Sequence, residues 1–142
     1  MRKSLEPSHD PAAYAFAHRL RTRFAETDAM GIIHHAAYLA YLEEARVAYL
    51  RDLGHPYGEV RTGGLDIAVL EVFVRYHRPL HFDEEVEVRL MAGGVTRTTF
   101  QIAYLLTVGD EMRANAVTVH GCVDGRGRAA RLPLWVGEIF GG

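Results

Sequence analysis

The chain has a single cysteine, Cys122, in 142 residues. That excludes an internal disulfide and any cysteine-built zinc cluster, and a reducing cytoplasm is the expected compartment. Positive charge is not in excess: the formal net charge is −2, so no global field argues for nucleic acid. No apolar run approaches the roughly 20 residues of a membrane helix, so no membrane span is expected. The first 17 residues carry Lys3, Glu6, Asp10 and two prolines, without the apolar stretch of a secretory signal. Lysine is nearly absent, with Lys3 alone against fifteen arginines. Arginine suits phosphate and carboxylate partners, and genome base composition explains the same bias.

What is present fits one soluble-type domain, with 49% hydrophobic and 24% charged residues. Residues 1–17 read as a loose leader with a short helical turn, and 18–142 as the domain proper. His18 to Ala25 alternates as a short strand. Residues 35–53 lack Gly and Pro and are rich in Ala and Leu, which predicts a helix of about five turns stopped by Gly54. Tyr38, Leu42, Ala45, Tyr49 and Leu53 form its main stripe, and the apolar surface extends around most of the helix, as in a helix buried on several sides. Four strands are expected afterwards, over 65–76, 85–91, 98–108 and 112–123, joined as an antiparallel meander. The tail from Pro133 to Phe140 reads as a short helix or strap. The fold class is α+β, with the sheet wrapped around the helix.

The chemistry-bearing run is Arg23 to Tyr38, where Asp28, Gly31, His34 and His35 precede the helix. Unpaired N–H groups and a partial positive charge at a helix start suit a developing oxyanion. Asp28 reads as a turn or capping acid, or as a nucleophile or general base. His34-His35 and His77 with His81 do not make a metal set: Pro79 separates the latter pair and no nearby acid completes a group. Glu71 interrupts an apolar strand and faces solvent, an interface or a pocket. His120, beside Thr118 and Cys122, reads as a packed or edge residue.

Asp28-Ala29-Met30-Gly31-Ile32-Ile33-His34-His35-Ala36-Ala37-Tyr38, continuing Tyr41-Leu42-Glu43-Glu44-Ala45-Arg46, resembles the signature of the 4-hydroxybenzoyl-CoA thioesterase family. The branch it is most similar to is the bacterial acyl-CoA thioesterases found with the Tol–Pal genes. The resemblance spans residues 18 to 132 and includes Tyr76-His77-Arg78-Pro79 and His120 to Asp124. It implies a hotdog fold: a long central helix wrapped by a five-stranded antiparallel sheet. By position it implies Asp28 as the catalytic carboxylate, Gly31 as the turn into the helix and the His35 N–H as the group that polarises the thioester carbonyl. The His35 side chain matches a histidine common in the bacterial branch. Tyr38, His34, Met30 and Ile33 would line the substrate site, and Glu43 with Arg46 would be a structural pair. His34 departs from the usual Tyr or Trp, and Ala37 from Asn or Ser.

A thioester is already activated, so an acid and fixed dipoles suffice and no cofactor is expected. CoA phosphates call for arginines at the pocket mouth. Arg126 and Arg128 are the leading candidates, with Arg75, Arg78, Arg97 and Arg131 beside them. The implied partners are an acyl-CoA substrate and further copies of the chain, as a homodimer or tetramer with active sites between protomers. A hotdog dehydratase or hydratase and a non-catalytic acyl-binding module are the rival readings.

Overall fold

The computed structural model describes residues 2–56 and 64–141. The elements run β1 (Phe16–Arg21), α1 (Ala37–Asp52), β2 (Asp66–Tyr76), β3 (Glu85–Gly93), β4 (Thr99–Val108), β5 (Glu111–Val123), the two-residue β6 (Ala129–Ala130) and α2 (Leu134–Phe140). The strands form one antiparallel sheet in the order β1-β3-β4-β5-β2, with β6 paired to the end of β5. The expected α+β class and the five principal strands are present, and β6 adds a short sixth.

The expected meander holds only for β3, β4 and β5. β2 does not pair with β3, which follows it. It pairs along its length with β5, from Asp66↔Val123 to Tyr76↔Ala114. Residues 77–84 therefore cross from one side of the sheet to the other, and β3 joins β1 instead. Along its other side β2 carries no strand among the described residues.

α1 lies across one face of the sheet. Tyr38, Tyr41, Leu42, Ala45, Tyr49 and Leu50 are buried there with Val86, Val88, Leu90, Phe100, Ile102, Tyr104 and Leu106 of the sheet. Gly54 ends the helix at φ 83°, a conformation that costs glycine least. Burial is one-sided: Ala36, Leu39, Ala40 and Glu43 are exposed in the protomer.

β4 and β5 are buried on both faces along most of their length. The second cover is the N-terminal segment, which is not loose. Gln101 accepts from the Ser4 and Leu5 N–H groups at 2.9 and 3.0 Å, and Glu71 accepts from the Arg2 N–H at 2.9 Å. Tyr14 packs with Ala103, Leu105 and Val117, joined by Leu5. Burying a side chain of leucine size contributes roughly 1.5–3 kcal/mol, enough to hold such a strap. Glu71 thus anchors the strap through Arg2.

β1 also ends earlier than the alternation suggested. Glu26 accepts from the Arg23 N–H at 2.8 Å and pairs with its guanidinium at 2.9 Å, folding Phe24–Glu26 into a 3-10 turn. That turn delivers the chain to Asp28.

Candidate active site

The segment between β1 and α1 is held by its own side chains. The Asp28 N–H donates to the Ile32 carbonyl at 2.8 Å, and the Gly31 N–H donates back to the Asp28 carbonyl at 3.1 Å. Asp28 Oδ1 accepts from the Met30 N–H at 2.8 Å and the Ile32 N–H at 3.3 Å. Gly31 sits at φ 81° with nothing within 4 Å of a Cβ placed there. Asp28 is therefore a turn acid, as the plain reading had it. Its other oxygen, Oδ2, has no hydrogen-bond partner among the described residues.

Upstream, the Tyr41 hydroxyl donates to Glu26 at 2.6 Å and locks the turn to α1. Burial works to raise the Glu26 carboxyl, but the Tyr41 hydroxyl and Arg23 outweigh it and hold it below the usual range. Downstream, His34 Nδ1 accepts from the Ala36 N–H at 3.0 Å just ahead of α1, whose N-cap residue, Ala36, makes no side-chain cap bond. The His34 and His35 rings stack at 4.3 Å. The His35 N–H has no hydrogen-bond partner among the described residues.

Asp28, Met30, Ile33, His35 and Tyr38 share one cleft of about 340 Å³ with Tyr76 to Pro79 of the β2 exit. Met30 lies at its lip, 77% exposed, whereas Ile33 and Tyr38 are buried in its floor. Tyr38 accepts from the Leu80 N–H at 3.2 Å, and burial pushes its phenol pKa up. Gly31 shapes the turn, and His34, expected to line the site, holds the Ala36 N–H and is not among the residues that line the cleft.

Tyr76 was not singled out as a site residue. Its hydroxyl donates to the His35 carbonyl at 2.9 Å, and its ring meets Tyr38 edge-on at 4.8 Å. It fixes the peptide next to the free N–H. The family-like run Tyr76-His77-Arg78-Pro79 carried that signal.

Arg126 and Arg128 are not brought to this cleft within the protomer. They follow Val123, which pairs with Asp66, while the cleft lies where Tyr76 pairs with Ala114. The ten residues between these pairs span about 33 Å of strand. Of the other arginine candidates, Arg78 lines the cleft.

A long helix packed against a large antiparallel sheet is the architecture of the hotdog fold, here with a carboxylate and a free N–H at the helix start. The pattern of the Thioesterase-like superfamily matches residues 22–140, and the chain belongs to that family. It is 32% identical over 106 residues to a "Putative acyl-CoA thioesterase" of Bacillus subtilis, covering 74% of this chain and 77% of that protein. It is 30% identical over 117 residues to a 1,4-dihydroxy-2-naphthoyl-CoA hydrolase of Synechococcus elongatus, covering 79% and 83%. The crystal structure of a hypothetical protein from Aquifex aeolicus superposes with TM-score 0.84 at 38% identity, covering 88% and 98%. The protein is a thioester hydrolase of this superfamily.

Proposed function

We propose that the protein hydrolyses acyl-CoA thioesters at the Asp28 cleft, giving the free acid and CoA. The observation that carries this reading is the pairing of an open carboxylate oxygen, on a turn that fixes the other, with the unpartnered His35 N–H in the same cleft. The thioester carbonyl accepts from that N–H, which stabilises the oxyanion as the carbon becomes tetrahedral. Asp28 Oδ2 attacks the carbon directly, forming a mixed anhydride that water then hydrolyses to the free acid and Asp28, or takes a proton from a water that attacks the carbon itself. CoA leaves as the thiolate and is protonated by solvent. The acyl-CoA and naphthoyl-CoA names of the relatives support a CoA ester. The Tol–Pal branch rests on the resemblance of the Asp28 to Tyr38 and Tyr41 to Arg46 runs. A CoA ester also fits a cytoplasmic enzyme without a cofactor.

The active form in this reading is at least a homodimer, joined through β2. Val69, Leu70 and Val72 are 46%, 42% and 39% exposed along an edge with no described strand partner. Exposed apolar edges of this length are rarely left unpaired. An antiparallel β2 pair brings the Arg126 and Arg128 end of one protomer toward the partner's Tyr76 end, where the CoA phosphates need cations. Dimers pair further into a tetramer through the exposed face of α1.

Asp28→Asn tests the chemistry, because the amide oxygen still holds the turn. Loss of about 10²–10⁴-fold in kcat/KM for CoA release, with an unchanged melting temperature, is expected. Wild-type-like release by the variant removes Asp28 from the mechanism. Hydration of an enoyl-CoA points to a hydratase, and tight binding without turnover points to an acyl-binding module.

A further inference from the structure

The N–H groups leading into a helix are open unless something takes them, and here nearly all are taken. The Ile32 N–H donates to Asp28 Oδ1, the Ile33 N–H to the Leu80 carbonyl at 2.8 Å and the His34 N–H to the Glu26 carbonyl at 2.8 Å. The Ala36 N–H donates to His34 Nδ1, and the Ala37 N–H to the His34 carbonyl at 2.9 Å. In the run from Ile32 to Ala37, the His35 N–H alone has no partner among the described residues. A developing oxyanion in the Asp28 cleft therefore meets one donor from this run, and the hold on residue 35 sets its aim.

That hold comes from two sides. Upstream, the His34 N–H and carbonyl are both bonded, so the peptide carrying the donor is fixed at its origin. Downstream, the helix does not take the His35 carbonyl. The Leu39 N–H donates instead to the Ala36 carbonyl at 3.3 Å, three residues back. The His35 carbonyl accepts from the Tyr76 hydroxyl at 2.9 Å, a bond from a residue 41 positions away in the chain.

Tyr76 is itself firmly mounted. Its ring meets Tyr38 edge-on at 4.8 Å, and its backbone pairs with Ala114 at the end of β2. The next two N–H groups, of His77 and Arg78, both donate to the Arg113 carbonyl, at 2.9 and 3.0 Å. The Arg113 guanidinium donates to the Pro79 carbonyl at 2.8 Å and forks onto Glu84 at 2.9 and 2.8 Å. Such a bidentate pair is both strong and directional. The β2 exit is thus rigid, and Tyr76 carries its geometry to His35.

We infer that Tyr76 is a positioning residue of the hydrolytic step. Acting through the His35 carbonyl, it keeps the His35 N–H aimed at the thioester oxygen. The inference rests on the thioesterase reading above. Tyr76 is 47% exposed, so a hydroxyl freed from His35 finds water and the fold loses little. The rate loses more, because a donor swung off line no longer meets the charge where it develops.

Tyr76→Phe keeps the ring on Tyr38 and removes only the hydroxyl. The kcat for CoA release should fall about 10- to 100-fold, with KM within about twofold and the melting temperature within about 4 °C of the wild type. Tyr14→Phe is the control. It removes a hydroxyl that donates to the Ser8 carbonyl at 2.7 Å, on the other face of the sheet, and its kcat stays at the wild-type value. Replacing Tyr76 by p-aminophenylalanine sets a weaker donor at the same place. Its kcat should lie between those of wild type and Tyr76→Phe with KM held, and it decides the question if the Phe variant does not fold. An unchanged kcat in Tyr76→Phe overturns the proposal and leaves Asp28-dependent hydrolysis standing. A rise in KM alone also overturns it, since the hydroxyl then touches substrate. If Asp28→Asn releases CoA at the wild-type rate while Tyr76→Phe is slow, the Asp28 mechanism falls and the positioning of His35 stands. If the wild type hydrolyses no ester, labelling with 15N-histidine decides. Of the eight histidine amides, that of His35 should move most in Tyr76→Phe, and an unmoved His35 amide ends the proposal.

Discussion

At the start of α1, Asp28 stands on a turn at an open cleft, its geometry fixed by backbone N–H groups and a glycine. Further along α1 and β2, a cavity beside Arg46 and His120 is walled mainly by apolar side chains and wired through Tyr104 and Thr118, but holds no free nucleophile among the described residues. The first region has reactivity without enclosure, and the second has enclosure without reactivity. Both border β2, whose free edge is apolar. In the proposed dimer, pairing of the β2 edges is what encloses the open cleft.

The comparison breaks if the edge is spoiled. Val72 lies near the middle of β2, so in an antiparallel pair of β2 strands its two copies lie close to the pairing axis. Val72→Lys brings two like charges together beside that axis. The expected result is a monomer in sedimentation, with CoA release down at least about 100-fold and a retained circular dichroism spectrum. A monomeric variant with full activity would show that one protomer holds a complete site.

The two regions were not equally legible. The Asp28 end is local: an acid, a glycine three residues on and a helix start are contiguous, so the spacing predicts the turn. α1 was bounded to within two residues at its start because Gly54 and the Gly- and Pro-free run are local signals. The cavity end is not local. It needs β2 beside β5, and that pairing crosses 77–84, which no periodicity in the chain encodes. Strand alternation fixes which face a residue takes, not which strand lies next to it. For the same reason Tyr76 was missed, and Arg126 and Arg128 were expected near a cleft from which their own protomer keeps them. The strap escaped notice because its anchors, Leu5 and Tyr14, are too far apart to make a pattern.

Acid separates the two ends more gently. Burial and the Arg46 charge hold off the His120 proton, which binds near pH 6.5 in the unfolded chain and only near pH 3 in the folded one. Its folded value is depressed, so the native state binds fewer protons, and stability falls as pH drops below about 6.5. The slope reaches up to roughly 1.4 kcal/mol per pH unit. Glu26 and Glu84, held below the usual carboxylate range, add slope in the same direction toward the acid end of that window. Thermal melts between pH 6.5 and 5 should fall less steeply for His120→Gln than for the wild type, even if the variant starts lower. Equal slopes in both would mean that the ring is not held neutral by its surroundings.

The smallest expected effect sharpens the account of the Asp28 end. At Gly31 a Cβ meets nothing within 4 Å, so the only obstacle to alanine is φ 81°. A left-handed conformation costs an L-residue roughly 1–2 kcal/mol. Gly31→Ala should lower stability by about that amount by chemical denaturation. If the turn absorbs the strain by opening, the Met30 and Ile32 N–H groups release Asp28 Oδ1, and kcat for the proposed hydrolysis falls while KM holds. A change in KM alone would mean that the turn grips substrate rather than aiming the carboxylate.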